Sequence, residues 1–440
     1  MYRAARRIVE KLRLHNHEAF FAGGWVRDFL LGRKPKDIDI VTSARPEEVR
    51  RIFPKSTAVG AAFGVILVRS YRRSFEVATF RSEGPYLDGR HPASVSFAGP
   101  REDAQRRDFT VNGLFYDPIA ERVIDYVQGL ADLRCRRIRT IGSAHERFAE
   151  DKLRMLRAVR FACTLEFTIA PETMEAIRQH AHEIVQVSWE RIRDELLSIL
   201  ESPGRGRGLD LLQESGLLAR ILPEVEALRG VPQPPEYHPE GDVFTHTRMA
   251  LELLRRPSPI LALAVLLHDI GKPPCYSEDT QIRFHGHAEQ GALMAEQVCR
   301  RLRMSNEETA RVRDLVHGHL RFMHAREMRP GTLRRFLSLP DISDHLELHR
   351  VDCLSSHKNL ENYLFCRREL ERMRSEPPLP PRLVTGDDLI AMGYEPGPIF
   401  REILGAVEER RLEGSLKTRD EAMAFVRRTF PRAAGNRNRA

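Results

Sequence analysis

Short β-type runs alternate with turns from Ala19 to about Arg139, and there they stop. From Ser143 to about Thr429 apolar residues recur with helical spacing instead. A chain divided in this way predicts an α+β fold, an α/β head followed by an all-helical remainder. The β-type runs are Ala19–Ala22, Gly64–Val68, Phe75–Phe80 and Arg122–Val127, and an amphipathic helix over residues 1 to about 15 precedes them. A helix is expected over Pro46–Phe53, with Ser43 as its cap. At 440 residues the chain is too long for one compact core, so two to four domains are expected. Breaks at Ser202-Pro203-Gly204, Val231-Pro232-Gln233-Pro234-Pro235 and Pro377-Pro378-Leu379-Pro380-Pro381 cut the helical part. They suggest units at 1–140, 141–235, 236–370 and 371–440, the last ending in a frayed tail from Gly435 to Ala440.

Within the head, Gly23-Gly24 follows the first β-type run, a helix start follows at Trp25–Leu31, and then comes Lys36-Asp37-Ile38-Asp39-Ile40-Val41-Thr42. Strand side chains alternate between faces, so Asp37 and Asp39 point one way while Ile38 and Ile40 enter the core. Two convergent carboxylates suit a pair of Mg²⁺ ions bridging a nucleoside triphosphate and an attacking hydroxyl. The backbone at Gly24, opening a helix, offers a phosphate seat to which Arg27 adds a fork of donors. An Asp-x-Asp pair alone is more often a solvated turn; the preceding strand, glycine turn and helix make this one specific. Glu76, on a later β-type run, could be a third carboxylate near the metals, but it reads more readily as a surface strand glutamate and is left out of the site.

The segment from Gly23 through Gly32 to Asp39 resembles the catalytic motif of class II tRNA nucleotidyltransferases, the CCA-adding enzymes and their bacterial poly(A) polymerase relatives. Further motifs of that family follow in order. Arg106-Arg107-Asp108-Phe109-Thr110-Val111-Asn112 is similar to its ribose and triphosphate motif, and Asp125-Tyr126-Val127-Gln128-Gly129 to its Asp-x-x-x-Gly hinge. Glu150-Asp151-Lys152-Leu153-Arg154, continuing through Arg157 and Arg160, is similar to its nucleotide template; Lys152 stands where relatives often carry proline. The resemblance is strong over the first 200 or so residues and patchy beyond. It implies a polymerase-β-type head, Mg²⁺ held by Asp37 and Asp39, and template-independent addition of CMP and AMP from CTP and ATP to the 3′-end of tRNA. Arg107 would then contact phosphate or ribose, and Asn112 would fix the loop. Asp108 would either orient Arg107 or touch substrate. The Gly/Pro-rich stretch Arg81–Pro92 is similar to the flexible loop that the family needs for the terminal A.

Cytosine and adenine share one edge pattern, an exocyclic amino donor beside a ring-nitrogen acceptor, and uracil and guanine reverse it. A carboxylate beside a guanidinium therefore accepts C and A and rejects U and G. Residues 148–158 read as one strong helix, which would put Asp151 and Arg154 on a common face. Arg157 and Arg160 continue that ridge toward the triphosphate. By spacing alone the pattern is also that of a surface salt-bridge ladder.

A second constellation lies in the C-terminal half. Leu266-Leu267-His268-Asp269-Ile270-Gly271-Lys272 resembles the signature of HD domains, helical metal phosphohydrolase modules, with His246, His287, His319 and Asp352 as its partners. Imidazole with carboxylate suits Mg²⁺, Mn²⁺, Ni²⁺ or Fe²⁺. The same residues could persist in a scaffold without the activity. Thr385-Gly386-Asp387-Asp388-Leu389 and Gly393–Pro398 resemble the C-terminal segment of HD-containing CCA-adding enzymes.

Composition is consistent with this reading. The formal net charge is +8 and arginine far outnumbers lysine, which suits a polyanionic partner, although codon bias could give the same balance. Six cysteines, at 135, 163, 275, 299, 353 and 366, form no Cys-x-x-Cys pair, as expected of free thiols in a cytoplasmic protein. The longest apolar run, Ile260–Leu267, falls far short of the ~20 residues of a membrane span. The expected partners are the tRNA 3′-end with CTP and ATP, with neither membrane nor DNA. The alternatives are an enzyme adding only the terminal A, a poly(A) polymerase and an inactive RNA-binding protein.

Overall fold

The computed structural model of the chain describes residues 1–60, 64–71, 73–84, 94–375 and 382–431. The head is built on seven strands: β1 (Ala19–Ala22), β2 (Asp39–Thr42), β3 (Ser56–Gly60), β4 (Val65–Ser70), β5 (Arg73–Thr79), and then, after the hairpin β6 (Arg81–Glu83) with β7 (Val95–Phe97), β8 (Leu114–Asp117) and β9 (Arg122–Asp125). Their order across the sheet is β3-β4-β5-β2-β1-β8-β9. Neighbours are antiparallel except β2 and β5, which run parallel with Ile40 opposite Val77.

Alternation sends Phe21, Ile40 and Val77 to one face, where α1 (Tyr2–Leu14), α2 (Gly24–Leu30) and α3 (Pro46–Ile52) bury Ile8, Leu12, Trp25, Val26 and Val49 against them. Phe20, Val41, Phe80 and Phe115 pack on the other face with Ala104 of α4 (Pro100–Gln105). Ser43 does not cap α3. Its hydroxyl accepts from the Glu18 N–H, and Glu48 instead reaches back to the Arg45 N–H. The expected hinge is an Asx turn: Asp125 accepts from the N–H groups of Val127, Gly129 and Leu130 and so opens α5 (Gly129–Arg134). A Cβ on Gly129 would meet the Thr110 carbonyl at 2.2 Å, so only glycine fits there.

Strands do not vanish entirely after Ser143, contrary to expectation. Thr168–Ile169 pairs in parallel with Arg137–Ile138, and Ser277–Glu278 with Ile282–Arg283. Each is two residues long, too short to leave a periodic signal. The neck follows with α6 (Ala144–Glu150), α7 (Arg154–Leu165), α8 (Pro171–His180) and α9 (Trp189–Glu201). One hydrophobic cluster runs from Phe109 through these helices to Val351. The breaks at 202–204 and 231–235 thus divide helices but not this core. A separate small cluster lies in the tail, around Leu389, Ile403 and Phe425. Of the expected flexible loop, Arg81–Glu83 is strand, and its continuation through residues 85–92 lies outside the described residues. The Pro377–Pro381 break and the tail end 435–440 lie outside them too. Among the described residues no helix is long and apolar enough to cross a membrane.

Candidate functional site

The sheet register assembles the head site. β1 ends where β2 begins, with Ala22 opposite Asp39, and Gly23 turns away from β1 with φ +66° to open α2. A Cβ on Gly23 would lie 3.0 Å from Nη1 of Arg107, so the positive φ and the arginine both call for glycine. Ile38 and Ile40 are buried. β2 starts only at Asp39, with Asp37 just ahead of it, yet both carboxylates reach one hollow of about 320 Å³. Glu76 lines that hollow as well, because the parallel β2–β5 register sets it beside Asp39. Glu76 is exposed, as expected of a surface strand glutamate, yet it also stands as the third carboxylate of this hollow, because it is β5 that lies beside β2.

The Asp39 carboxyl is pushed up to about 6 by burial, by Asp37 and by Glu76, against the pull of Arg107. Three carboxylate residues line this hollow, alongside Lys36 and Arg73, and they offer the oxygen ligands that divalent ions take. The residues present fit such ions.

Asp39 also lines a second, larger cavity of about 510 Å³, with Gly23, Gly24, Arg27, Arg107, Asp108, Asn112, Asp151, Arg154 and Arg157 around it. Arg160 alone of the expected nucleotide residues is not in its wall. Its Nε donates to Glu195 of α9 at 2.6 Å, which turns it into the neck.

Asp108 does not orient Arg107. Arg107 and Arg106 both pair with Asp103, a fully buried carboxylate one turn earlier on α4, at 3.0 and 2.7 Å. Asp103 was legible as an i,i+3 and i,i+4 partner but went unread. Asp108 instead accepts from Nε and Nη2 of Arg157 at 3.0 and 2.7 Å, from Nδ2 of Asn112 and from the Phe109 N–H. Burial alone would raise its carboxyl; Arg157 and these donors hold it below the usual range. Asn112 passes the chain of bonds on by accepting from Nη1 of Arg27 at 2.7 Å.

The expected helix over 148–158 is broken. α6 ends at Glu150, Asp151 takes extended backbone (φ −145°, ψ 106°), and α7 starts at Arg154. Oδ1 of Asp151 accepts from the Leu153 N–H, so the side chain that read as a helix-face residue competes for a backbone donor in the turn between the two helices. Asp151 and Arg154 still face the same cavity, from a turn instead of a helix face. Oδ2 of Asp151 is held by Arg191 of α9 at 2.8 Å, and Arg154 donates to Oε2 of Glu150 at 2.5 Å. Arg191 lines the cavity too; forty residues away in sequence, it gave no signal.

In the C-terminal half the six expected residues meet. His246 comes from the helix Val243–Leu253, His268 and Asp269 from the end of Pro259–Leu267, His287 from the start of His287–Arg301, His319 from the end of Asn306–Gly318, and Asp352 from Ile342–Ser355. They form two groups of three potential ligands, His246–His268–Asp352 and Asp269–His287–His319. Asp269 joins them, its Oδ2 3.2 Å from Nε2 of His268 and its Oδ1 3.7 Å from Nε2 of His287. Lys272, unread in the sequence, ion-pairs with Asp269 at 2.7 Å. His287 and His319 face each other through Nε2 at 3.3 Å while Nδ1 of each is bonded to a backbone carbonyl. Two ring nitrogens aimed at one another in this way suit an ion between them. The site residues present fit a divalent metal.

The sequence model of the Poly A polymerase head domain matches residues 19–139, that of the probable RNA and SrmB-binding site of polymerase A matches 166–228, and that of the HD domain matches 243–350. The chain is 45% identical over 221 residues to the CCA-adding enzyme of Geobacillus stearothermophilus, covering 50% of this chain and 54% of the relative. It is 46% identical over 228 residues to that of Lactococcus lactis subsp. cremoris, covering 51% and 56%. It thus spans about half the length of the curated relatives it matches. A crystal structure of the Bacillus stearothermophilus CCA-adding enzyme in complex with CTP superposes over 97% of both chains with TM-score 0.73 and 29% identity. The Thermotoga maritima CCA-adding enzyme complexed with tRNA, at TM-score 0.61 and 21% identity over 96% and 94%, shares the fold.

The Asp108–Arg157 pair generates a prediction. Asp108→Asn should lower stability by about 1–3 kcal/mol, the worth of hydrogen bonds to a charged group. Because the folded state holds this carboxyl low, the wild type's advantage is full above about pH 4 and fades as acid protonates Asp108. Chemical denaturation of both proteins from pH 7 to pH 3 measures it. An advantage that stays constant across that range would contradict the assignment.

Proposed function

The chain belongs to the family of nucleotidyltransferases that joins CCA-adding enzymes with poly(A) polymerases, with an HD domain in its helical part, and from that premise we propose that it adds CMP and AMP from CTP and ATP to the 3′-end of tRNA. One observation carries the reading: Asp39, the Gly23–Gly24 turn, Asp151 and Arg154 line a single cavity. Triphosphate chemistry and base choice thus share one wall.

Gly23 and Gly24 let the backbone approach the phosphates, and Arg107, braced by Asp103, places a guanidinium beside them. Asp37, Asp39 and Glu76 would hold Mg²⁺, which when bound activates the terminal ribose hydroxyl and neutralises the leaving pyrophosphate. A carboxylate has about four lone-pair sites, so Asp151 can accept from an exocyclic amino group while keeping Leu153 and Arg191. Arg154 donates to the ring nitrogen, which selects C and A. Phe161 lies under the cavity with the Arg157 guanidinium 5.4 Å from its ring. The net positive charge suits the tRNA backbone as partner, read mostly through shape. A cytoplasmic setting agrees with six unpaired cysteines.

The HD centre favours a second activity, metal-dependent phosphoester hydrolysis, because six potential ligands converge in a part of the chain remote from the head cavity.

Incubation of the purified protein with CTP, ATP and tRNA lacking CCA, resolved nucleotide by nucleotide, tests the main reading. Growth by one A only on a tRNA already ending in CC would make it an A-adding enzyme. Asp37→Ala or Asp39→Ala should abolish addition of both nucleotides with the fold intact; appreciable incorporation by either in Mg²⁺ would refute the role of the pair. Arg154→Ala should weaken discrimination against UTP and GTP by roughly ten- to a hundredfold or more, the worth of one good base contact, with tRNA binding little changed. Should that variant lose only overall rate, Arg154 supports the cavity wall and does not read the base. His268→Ala with Asp269→Ala should remove metal-dependent phosphohydrolase activity and spare nucleotide addition. Loss of addition in a folded double variant would place the HD region in the tRNA clamp.

A further inference from the structure

All four imidazoles of the HD centre are oriented from behind through Nδ1, but not by the same kind of acceptor. His268, His287 and His319 donate to the carbonyls of Val265, Phe284 and Val316, each three residues earlier, at 2.8, 2.8 and 2.6 Å. The local turn of the chain supplies these bonds. His246 alone is backed by a carboxylate, Oε1 of Glu240 at 2.8 Å. Nδ1 of His238 lies 2.9 Å from the same oxygen, and the two rings meet edge to face with centroids 5.2 Å apart. Only 4% of the Glu240 side chain is exposed, and its Oε2 is buried without a hydrogen-bond partner. Glu240 stands two residues before Asp242, whose Oδ1 accepts from the Thr245 N–H and caps the helix that carries His246. The carboxylate and the ring it orients are thus fixed by one short, capped connection.

We infer that Glu240 is a positioning residue that makes the His246–His268–Asp352 face of the HD centre the first to take a divalent ion. The inference rests on the reading of that centre as a metal site. A carboxylate behind a ligand histidine fixes the ring and strengthens Nε2 as a donor, more than a neutral carbonyl does. The opposite face has only carbonyl-backed imidazoles. Its one carboxylate, Asp269, also shares its charge with Nζ of Lys272. One half of the centre is reinforced and the other is not, so the two should load in order. The mixed imidazole and carboxylate donors suit Mn²⁺, Fe²⁺ or Ni²⁺.

The test uses the full chain carrying Asp37→Ala and Asp39→Ala, so that the head's carboxylate pair does not enter the count, and titrates Mn²⁺ by calorimetry. Two classes of uptake are expected. Asp352→Ala should remove the tighter class and His319→Ala should spare it; the reverse assignment overturns the inference. Glu240→Gln keeps the size of the side chain and an acceptor oxygen but removes the charge. It should weaken the tighter class about ten- to a hundredfold and leave the weaker one unchanged. An affinity within twofold of the parent overturns the inference, as does equal weakening of both classes, which would be a general loosening. Loss of one ion at saturation would make Glu240 itself a ligand and overturn it too. If no Mn²⁺ binds in the parent, the metal-centre reading fails, and the inference with it.

Discussion

A buried anion is costly unless every side of it is met by donors, and the Asp108 carboxylate is met from both sides of the junction between head and neck. Asn112 and the Phe109 N–H reach it from the head, and Arg157 grips it from α7 with two nitrogens. The bonds then run outward in two directions. One passes through Asn112 to Arg27 on α2. The other passes through Arg157, 3.7 Å from Glu195 on α9, where Arg160 also ends. Beneath them the guanidinium groups of Arg27, Arg157 and Arg160 gather around the single ring of Phe161, at 5.2, 5.4 and 4.3 Å. The cavity wall is shared between head and neck, and this network sets the two parts in register. A partly satisfied network of this kind would be worse than an apolar junction.

The two centres differ in what surrounds their charged groups. In the head, desolvation and the neighbouring carboxylates of Asp37 and Glu76 together push Asp39 upward. In the HD centre most of the donors are imidazoles. His246, held between Glu240 and Asp352, is raised to about 9 despite its burial, whereas burial and a neighbouring imidazole lower His319 to about 4. The same ring type is thus pushed in opposite directions according to whether carboxylates or burial and a neighbouring imidazole prevail around it.

Much of this was legible in the chain. The strand at Ala19–Ala22, the Gly23 turn, the burial of Ile38 and Ile40, and the division into an α/β head and helical remainder follow from period and turn chemistry, which act over a few residues. The six residues that meet in the C-terminal half could be named through the resemblance of His268-Asp269 and its partners to the HD family. What the chain alone leaves open depends on partners brought from elsewhere. Glu76, open between a third carboxylate and a surface glutamate, becomes a neighbour of Asp39 only through a parallel strand pairing, and Arg191, which no motif marked, reaches Asp151 only through the packing of α9 on α7. The break at Asp151 escaped for another reason. Residues 148–158 have a helical period on both sides of it, and the period survives a short interruption where Asp151 is extended and its side chain accepts from the Leu153 N–H.

The order of strands in the sheet is not the order in which they are made. β1 lies between β2 and β8, so its second partner emerges only after the β3–β5 strands, the β6–β7 hairpin and α4 have been synthesised. Long-range pairings of this kind are slow to close, and chains fold from the N-terminus as they appear. Asp37, Asp39 and Glu76 can find one another early, within the first five strands. The groups of the neck part of the cavity arrive later: Asp151 after the whole sheet, and Arg191 later still. On the ribosome a growing chain therefore gathers its carboxylate cluster before the neck part of the cavity exists.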